Sequence, residues 1–85
     1  MPHLLIVDDD PDFVEAIELH LERSGHSVES AFDRSEGMRL ARGGRFDLLI
    51  LDVMMAEPDD GIVMAQELRK EGFDKPILML SGISR

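Results

Sequence analysis

Four short segments rich in apolar residues, separated by stretches with helical periodicity, constrain the fold of this chain more than any other feature. The segments span residues 4–7, 26–32, 46–51 and 77–80. Three of them are dominated by consecutive apolar residues, which is typical of strands covered on both faces of a parallel sheet. The second alternates weakly around Val28, which predicts a strand nearer the edge of the sheet.

Helix signals occupy the intervals between these segments. Asp10 can cap the first helix, and Gly25 is placed to end it. The residues DRSE at 33–36 resemble a capping box, with Asp in place of Ser or Thr, that opens the second helix. Apolar residues at helical spacing between 62 and 68 mark the third. This order of elements predicts an α/β fold, a doubly wound parallel sheet with right-handed crossovers and helices on both faces.

The composition limits the classes of protein to consider. Eighty-five residues allow one domain, and a formal net charge of −9 argues against direct binding of nucleic acid or of an anionic membrane surface. The absence of cysteine excludes disulfides, thiolate zinc sites and cysteine nucleophiles. No apolar stretch approaches the roughly 18 residues of a membrane span, and no signal-peptide pattern opens the sequence. We therefore expect a cytoplasmic protein.

Short polar side chains follow three of the four predicted strands. Asp8 follows the first strand, Asp52 the third and Ser81 the fourth, and Asp9 adjoins Asp8. Ligands of open parallel sheets bind outside the carboxyl ends of the strands, so these residues are expected to converge there. A divalent cation relieves the repulsion among clustered carboxylates. Oxygen donors favour Mg2+, with Mn2+ close behind.

The chemistry expected at such a site is phosphoryl transfer, because Mg2+ usually shares its coordination shell with a phosphate. A carboxylate can itself act as the nucleophile and form an acyl phosphate. Asp52 is the best placed carboxylate, because it ends the most apolar of the first three segments. The hydroxyl of Ser81, one strand over, could then donate to a phosphoryl oxygen.

The motifs of the chain, in their order and spacing, resemble those of the receiver domain of bacterial two-component response regulators. They are IVDDD at 6–10, LILDVMM at 49–55, the DG turn at 60–61 and LMLSG at 78–82. The resemblance that they carry extends over essentially all 85 residues. The resemblance implies a flavodoxin-like sheet with strand order 2-1-3-4 and a role in phosphorelay signal transduction.

The resemblance also implies a role for each site residue. The metal ligands would be Asp8, Asp9, Asp52 and the backbone carbonyl of Met54. Asp52 would accept a phosphoryl group from a sensor histidine kinase or a histidine phosphotransfer protein, and Ser81 would be the switch hydroxyl. The phosphorylated domain would act on an output domain or a partner protein. It would not be a turnover enzyme, beyond its own phosphorylation and dephosphorylation.

The chain departs from the family pattern in two places. Ala56 stands where the family usually has Pro, and the loop to Gly61 is one residue longer. The family continues past the fourth strand into a helix, a fifth strand that carries an essential Lys, and a last helix, none of which this sequence contains. We therefore expect residues 1–85 to be the amino-terminal part of a receiver domain, through the fourth strand. The apolar strand at 77–80 would form an exposed edge, which favours a homodimer through edge pairing or swapping.

Other interpretations stay open. A receiver-like interaction module that cannot be phosphorylated would keep this fold without the missing Lys. An aspartyl-phosphate phosphohydrolase would need an acidic residue where Met54 stands.

The acidic run at 8–12 by itself suits the start of a helix. A calcium loop is excluded because Phe13 occupies the position of the required Gly. The remaining acidic residues before the third helix are interpreted as a solvated loop: Glu57, Asp59 and Asp60.

Overall fold

The computed structural model describes residues 2–80. Its four strands are β1 (His3–Val7), β2 (Ser27–Ala31), β3 (Leu48–Asp52) and β4 (Ile77–Leu80). Its three helices are α1 (Pro11–Arg23), α2 (Arg34–Gly43) and α3 (Asp60–Lys70). All strand pairs are parallel and the order is β2-β1-β3-β4, so the predicted sheet and the position of the second strand at an edge are confirmed.

Helix α1 begins and ends where its local sequence dictates. The side chain of Asp10 accepts hydrogen bonds from the backbone N–H groups of Asp12 and Phe13, at 3.1 and 3.2 Å. At the other end Gly25 has φ +92°, a left-handed conformation that costs glycine little. The N–H of His26 reaches back to the carbonyl of Leu21 at 3.1 Å, which completes a Schellman motif.

Helix α2 opens with half of the predicted capping box. The Asp33 carboxylate accepts from the N–H of Glu36 at 2.8 Å, as expected of an N-cap. The Glu36 carboxylate returns to the N–H of Phe32, at 3.3 Å, rather than to that of the cap residue. The reciprocal bond is therefore shifted by one residue, and it ties the end of β2 to the start of the helix.

Strand β3 starts two residues later than the sequence predicts. Phe46 is buried in front of the strand, where its ring stacks on that of His3 at a centroid distance of 4.7 Å. Asp47 then accepts from the N–H of His3 through its side chain, at 2.8 Å, and donates its own N–H to the carbonyl of that residue. Regular pairing with β1 begins only at Leu48.

Two apolar layers cover the sheet, one on each face. Along β1, Leu5 and Val7 face the layer formed with α2 and α3, whereas Ile6 faces the layer formed with α1. Leu49 and Ile50 divide between the same layers in β3. This two-sided burial explains why the central strands are apolar at consecutive positions instead of alternating.

Strand β4 lies at the edge opposite β2 and pairs only with β3 among residues 2–80. Its apolar side chains are only partly covered, and Leu78 is 52% exposed. The predicted exposed apolar edge is confirmed for this part of the chain. Over the same residues, no helix combines the length and the apolar character that crossing a membrane requires.

Candidate functional site

The carboxyl ends of β1 and β3 bring three aspartates together. Val7 pairs with Leu51, so Asp8 and Asp52 occupy the next positions on neighbouring parallel strands. One carboxylate oxygen from each of Asp8, Asp9 and Asp52 lies within 4.8 Å of the other two. Asp8 and Asp52 are buried, at 0% and 3% exposure, whereas Asp9 is exposed. The cluster therefore has a buried floor and one side open to solvent.

Backbone hydrogen bonds fix Asp8 at the floor of this cluster. Its N–H donates to the carbonyl of Ala31 in β2, at 3.1 Å. One oxygen of its carboxylate accepts from the N–H of Asp10, at 3.0 Å, in the turn that leads into α1. Asp10 is in turn the N-cap of that helix. The turn therefore sets the direction of the Asp8 carboxylate and the starting point of α1 together.

The cluster has the electrostatics of a divalent cation site. Charges of one sign held a few ångströms apart beside an apolar core repel each other strongly, since the local dielectric screens them less than water does. A hard cation with oxygen ligands offsets this repulsion, and Mg2+ is bound in proteins through one or two carboxylates together with phosphate oxygens. The donor set of Asp8, Asp9 and Asp52 therefore fits Mg2+, with the open side available for a phosphoryl group.

Gly61 holds the start of α3 against the backbone of Asp52. Its N–H donates to the carbonyl of Val53 at 2.9 Å. A Cβ atom at this position would overlap the carbonyl oxygen of Asp52 and would lie 2.8 Å from both the Asp52 carbonyl carbon and the Val53 Cα. Only glycine permits this approach without displacing the chain. The end of β3 is thereby clamped directly behind the buried aspartate.

Asp60 corrects the interpretation of residues 57–60 as a solvated acidic loop. It is only 4% exposed and is the first residue of α3. Its carboxylate accepts from the N–H of Glu57 at 2.8 Å and forms an ion pair with Arg34 at 3.2 Å. A single buried charge is costly, and these two partners offset that cost. Glu57 and Asp59 are exposed, as the sequence predicts.

The other two residues singled out from the sequence lie beside the cluster in the chain. Met54 follows Asp52 by two positions, on the loop between β3 and α3, and its side chain is 58% exposed. Met55 is partly buried against the layer formed with α2 and α3. Ser81 lies outside the described residues. Its neighbour Leu80 pairs with Asp52 in the sheet.

The sequence profile of the response regulator receiver domain matches residues 4–85. The chain belongs to this family. Among curated relatives of this receiver chain, the DNA-binding dual master transcriptional regulator RpaA of Synechocystis is 37% identical over 87 residues. The alignment covers all of this chain and 36% of RpaA. The receiver chain thus spans about a third of the length of that relative.

Solved structures of receiver proteins superpose on the same fold. The response regulator TrrA of Thermotoga maritima, in complex with Mg(2+)-BeF, is 32% identical with a TM-score of 0.89, covering 99% of this chain and 72% of that one. TrrA in complex with the histidine kinase ThkA gives a TM-score of 0.88 at 32% identity, with 100% and 72% covered. The flavodoxin-like receiver fold predicted from the sequence is confirmed.

Proposed function

We propose that this receiver chain is a Mg2+-dependent phosphoacceptor in a phosphorelay, with Asp52 as the residue that carries the phosphoryl group. The observation that carries this proposal is the convergence of Asp8, Asp9 and Asp52, two of them buried, at the carboxyl ends of β1 and β3. The complex of TrrA with Mg(2+)-BeF supports it, since that relative combines the same fold with the ion that the donor set fits.

Each residue of the site would have a separate task. Asp8, Asp9 and Asp52 would hold Mg2+ together with the backbone carbonyl of Met54, and Mn2+ suits the same oxygen donors. The bound cation would neutralise charge on the phosphoryl oxygens. A carboxylate oxygen of Asp52 attacks phosphorus, the bond from phosphorus to the histidine nitrogen of the donor breaks, and the electron pair stays on that nitrogen. The Ser81 hydroxyl would then donate to a phosphoryl oxygen.

The partners proposed for this chain follow from the same chemistry. A sensor histidine kinase or a histidine phosphotransfer protein would supply the phosphoryl group, and the complex of TrrA with ThkA supports this class of donor. An output domain or partner protein would respond to the phosphorylated state. RpaA is a DNA-binding regulator, whereas this chain carries a net charge of −9 and is proposed to have no direct contact with nucleic acid. A second copy of the chain could pair along the exposed apolar edge of β4.

The phosphoacceptor proposal is tested by incubating the protein with Mg2+ and acetyl phosphate and measuring its intact mass. We expect the mass of one phosphoryl group to be added, and no addition when Mg2+ is chelated. Asp52→Asn should abolish the gain, because the amide is not a nucleophile of this kind. Asp59→Asn is the matched control, since it removes an exposed carboxylate from the following loop. Modification that persists in Asp52→Asn would contradict the proposal.

A second candidate function is an interaction module that keeps the fold without accepting phosphoryl groups. The receiver family has an essential Lys, and neither lysine within residues 2–80 lies beside the aspartate cluster. Lys70 ends α3 and Lys75 precedes β4, so both lie towards the amino ends of the strands, opposite the aspartate cluster. Mg2+ titration separates the two candidates. A phosphoacceptor should show saturable binding that weakens in Asp8→Asn, and an interaction module should show none.

A further inference from the structure

Two ion pairs join α2 to α3, one near each end of the helix pair. At the carboxyl ends, Arg42 makes two hydrogen bonds to Glu71, at 2.7 and 2.8 Å, and both side chains are largely exposed. At the amino ends, Arg34 pairs with Asp60 at 3.2 Å, and here the carboxylate side chain is only 6% exposed. The amino ends of these helices lie at the edge of the sheet that carries the aspartate cluster.

The two ion pairs differ in burial, and this difference indicates that they have different roles. An exposed ion pair gains little because water screens it, but its desolvation cost is small. A buried carboxylate carries a large cost that its partners must offset. The exposed Arg42–Glu71 pair therefore links the helices at little cost, whereas the costly burial of Asp60 calls for another explanation.

Asp60 connects the helix pair to the loop that follows the proposed phosphoacceptor. One carboxylate oxygen accepts from the N–H of Glu57, near the far end of the loop of residues 53–59. The next residue, Gly61, donates to the carbonyl of Val53 at the near end and packs on the backbone of Asp52. Both ends of the loop are thus tied to the first two residues of α3, and Arg34 anchors the first of these from α2.

We propose that Asp60, held by Arg34, is a positioning residue for the phosphoacceptor site. It acts through the loop of residues 53–59, which sets the place of the Asp52 backbone and of the Met54 carbonyl. Loss of the Arg34 guanidinium leaves a buried carboxylate with one hydrogen bond, so Asp60 turns towards water and releases Glu57. This inference rests on the function proposed above, because the geometry that it protects is that of the phosphoacceptor and its cation.

The test compares Arg34→Ala with Arg42→Ala, the matched variant that removes the other ion pair between the same two helices. Three quantities are measured in each: the Mg2+ dissociation constant, the initial rate of phosphorylation by acetyl phosphate, and the thermal midpoint. We expect Arg34→Ala to slow phosphorylation by about tenfold, as is typical when the support of a metal site is removed. Arg42→Ala should leave the rate within about twofold of the native chain, as befits an exposed pair.

Two further variants separate positioning from general stability. Arg34→Lys keeps the charge and should recover most of the rate, and Asp60→Asn should also keep most of it, because the amide still accepts from Glu57 and carries no buried charge that needs Arg34. If Asp60→Asn fails to fold, the Arg34 variants still decide, because that side chain is 45% exposed and its removal leaves no cavity in the core.

Equal rates in Arg34→Ala and Arg42→Ala, or a loss in Arg34→Ala that only follows its thermal midpoint, would overturn the positioning role. A native chain that neither binds Mg2+ nor accepts a phosphoryl group would overturn the proposed function itself. These two failures are distinguished by the native chain alone, before any variant is compared.

Discussion

Replacing Gly61 with alanine sets two physical effects of opposite sign against each other. Alanine has the higher helix propensity, so an exposed helical glycine gains at most about 1 kcal/mol from this change. The φ of Gly61 is not positive, so no backbone strain accompanies the new side chain. The added Cβ, however, would overlap the carbonyl oxygen of Asp52 and lie 2.8 Å from the Val53 Cα. These are backbone atoms, which cannot move aside by changing a rotamer.

The steric cost of the added Cβ decides whether Gly61→Ala destabilises the protein. Ordinary contact with a Cβ begins near 3.4 Å, so α3 or the end of β3 must retreat by more than about 0.6 Å, because the Asp52 carbonyl oxygen is closer than the atoms at 2.8 Å. Overpacking of this kind costs about 1–3 kcal/mol. Because the overlapped atoms are backbone, we expect a cost at the upper end of this range, so that Gly61→Ala loses about 2 kcal/mol of unfolding free energy after subtraction of the propensity gain. This loss lowers the thermal midpoint by roughly 8–16 °C in a domain of this size.

Urea unfolding followed by circular dichroism measures this loss. Gly43→Ala is the control, because Gly43 also lies in a helix and a Cβ there meets no atom within 4 Å. That variant should be neutral or gain up to about 1 kcal/mol. We also expect Gly61→Ala to weaken Mg2+ binding, since the displaced backbone carries Asp52. A Gly61→Ala protein as stable as Gly43→Ala, with unchanged Mg2+ affinity, would refute the reasoning.

Three further predictions concern the core, an ion pair and the sheet edge. Leu5 is fully buried, so Leu5→Ala should lower the urea-derived unfolding free energy by about 2–5 kcal/mol; a smaller loss would mean that the cavity collapses. The hydrogen bond from Arg42 holds the pKa of Glu71 below its usual value of 4.5. The stabilising contribution of Glu71 is therefore complete above pH 4.5 and is lost as the pH falls through its folded pKa. Arg42→Ala should remove this part of the pH dependence of the urea midpoint. Leu78→Lys should reduce self-association measured by sedimentation velocity, and identical profiles for both proteins would exclude β4 as the contact.

Local chemistry in the sequence is sufficient to predict both ends of α1 and the parallel sheet. Asp10 caps α1 with its own side chain, and Gly25 ends it through a conformation that glycine adopts readily. The apolar strands predict two covered faces because consecutive residues point to opposite sides of a sheet. The same reasoning predicts the meeting of Asp8 and Asp52, since Asp8 follows β1 and Asp52 ends the neighbouring parallel strand β3.

Features that depend on distant partners are beyond this kind of prediction. The start of β3 moves to Leu48 because Phe46 stacks on His3 at the far end of β1. Asp60 resembles its exposed acidic neighbours in sequence, and only the approach of Arg34 from α2 makes its burial tolerable. Its place immediately before a glycine and an apolar helical segment was the one local sign of a helix start.

The position of the phosphoryl group tests the central claim most directly. The protein is incubated with Mg2+ and acetyl phosphate, digested, and its peptides are analysed by mass spectrometry. We predict a single phosphorylated peptide containing Asp52, whose modification disappears when Mg2+ is chelated and when Asp8 and Asp9 are both replaced by asparagine. Phosphorylation at another residue, or at Asp52 to the same extent without Mg2+, would contradict the assignment of the aspartate cluster as a metal-dependent phosphoacceptor site.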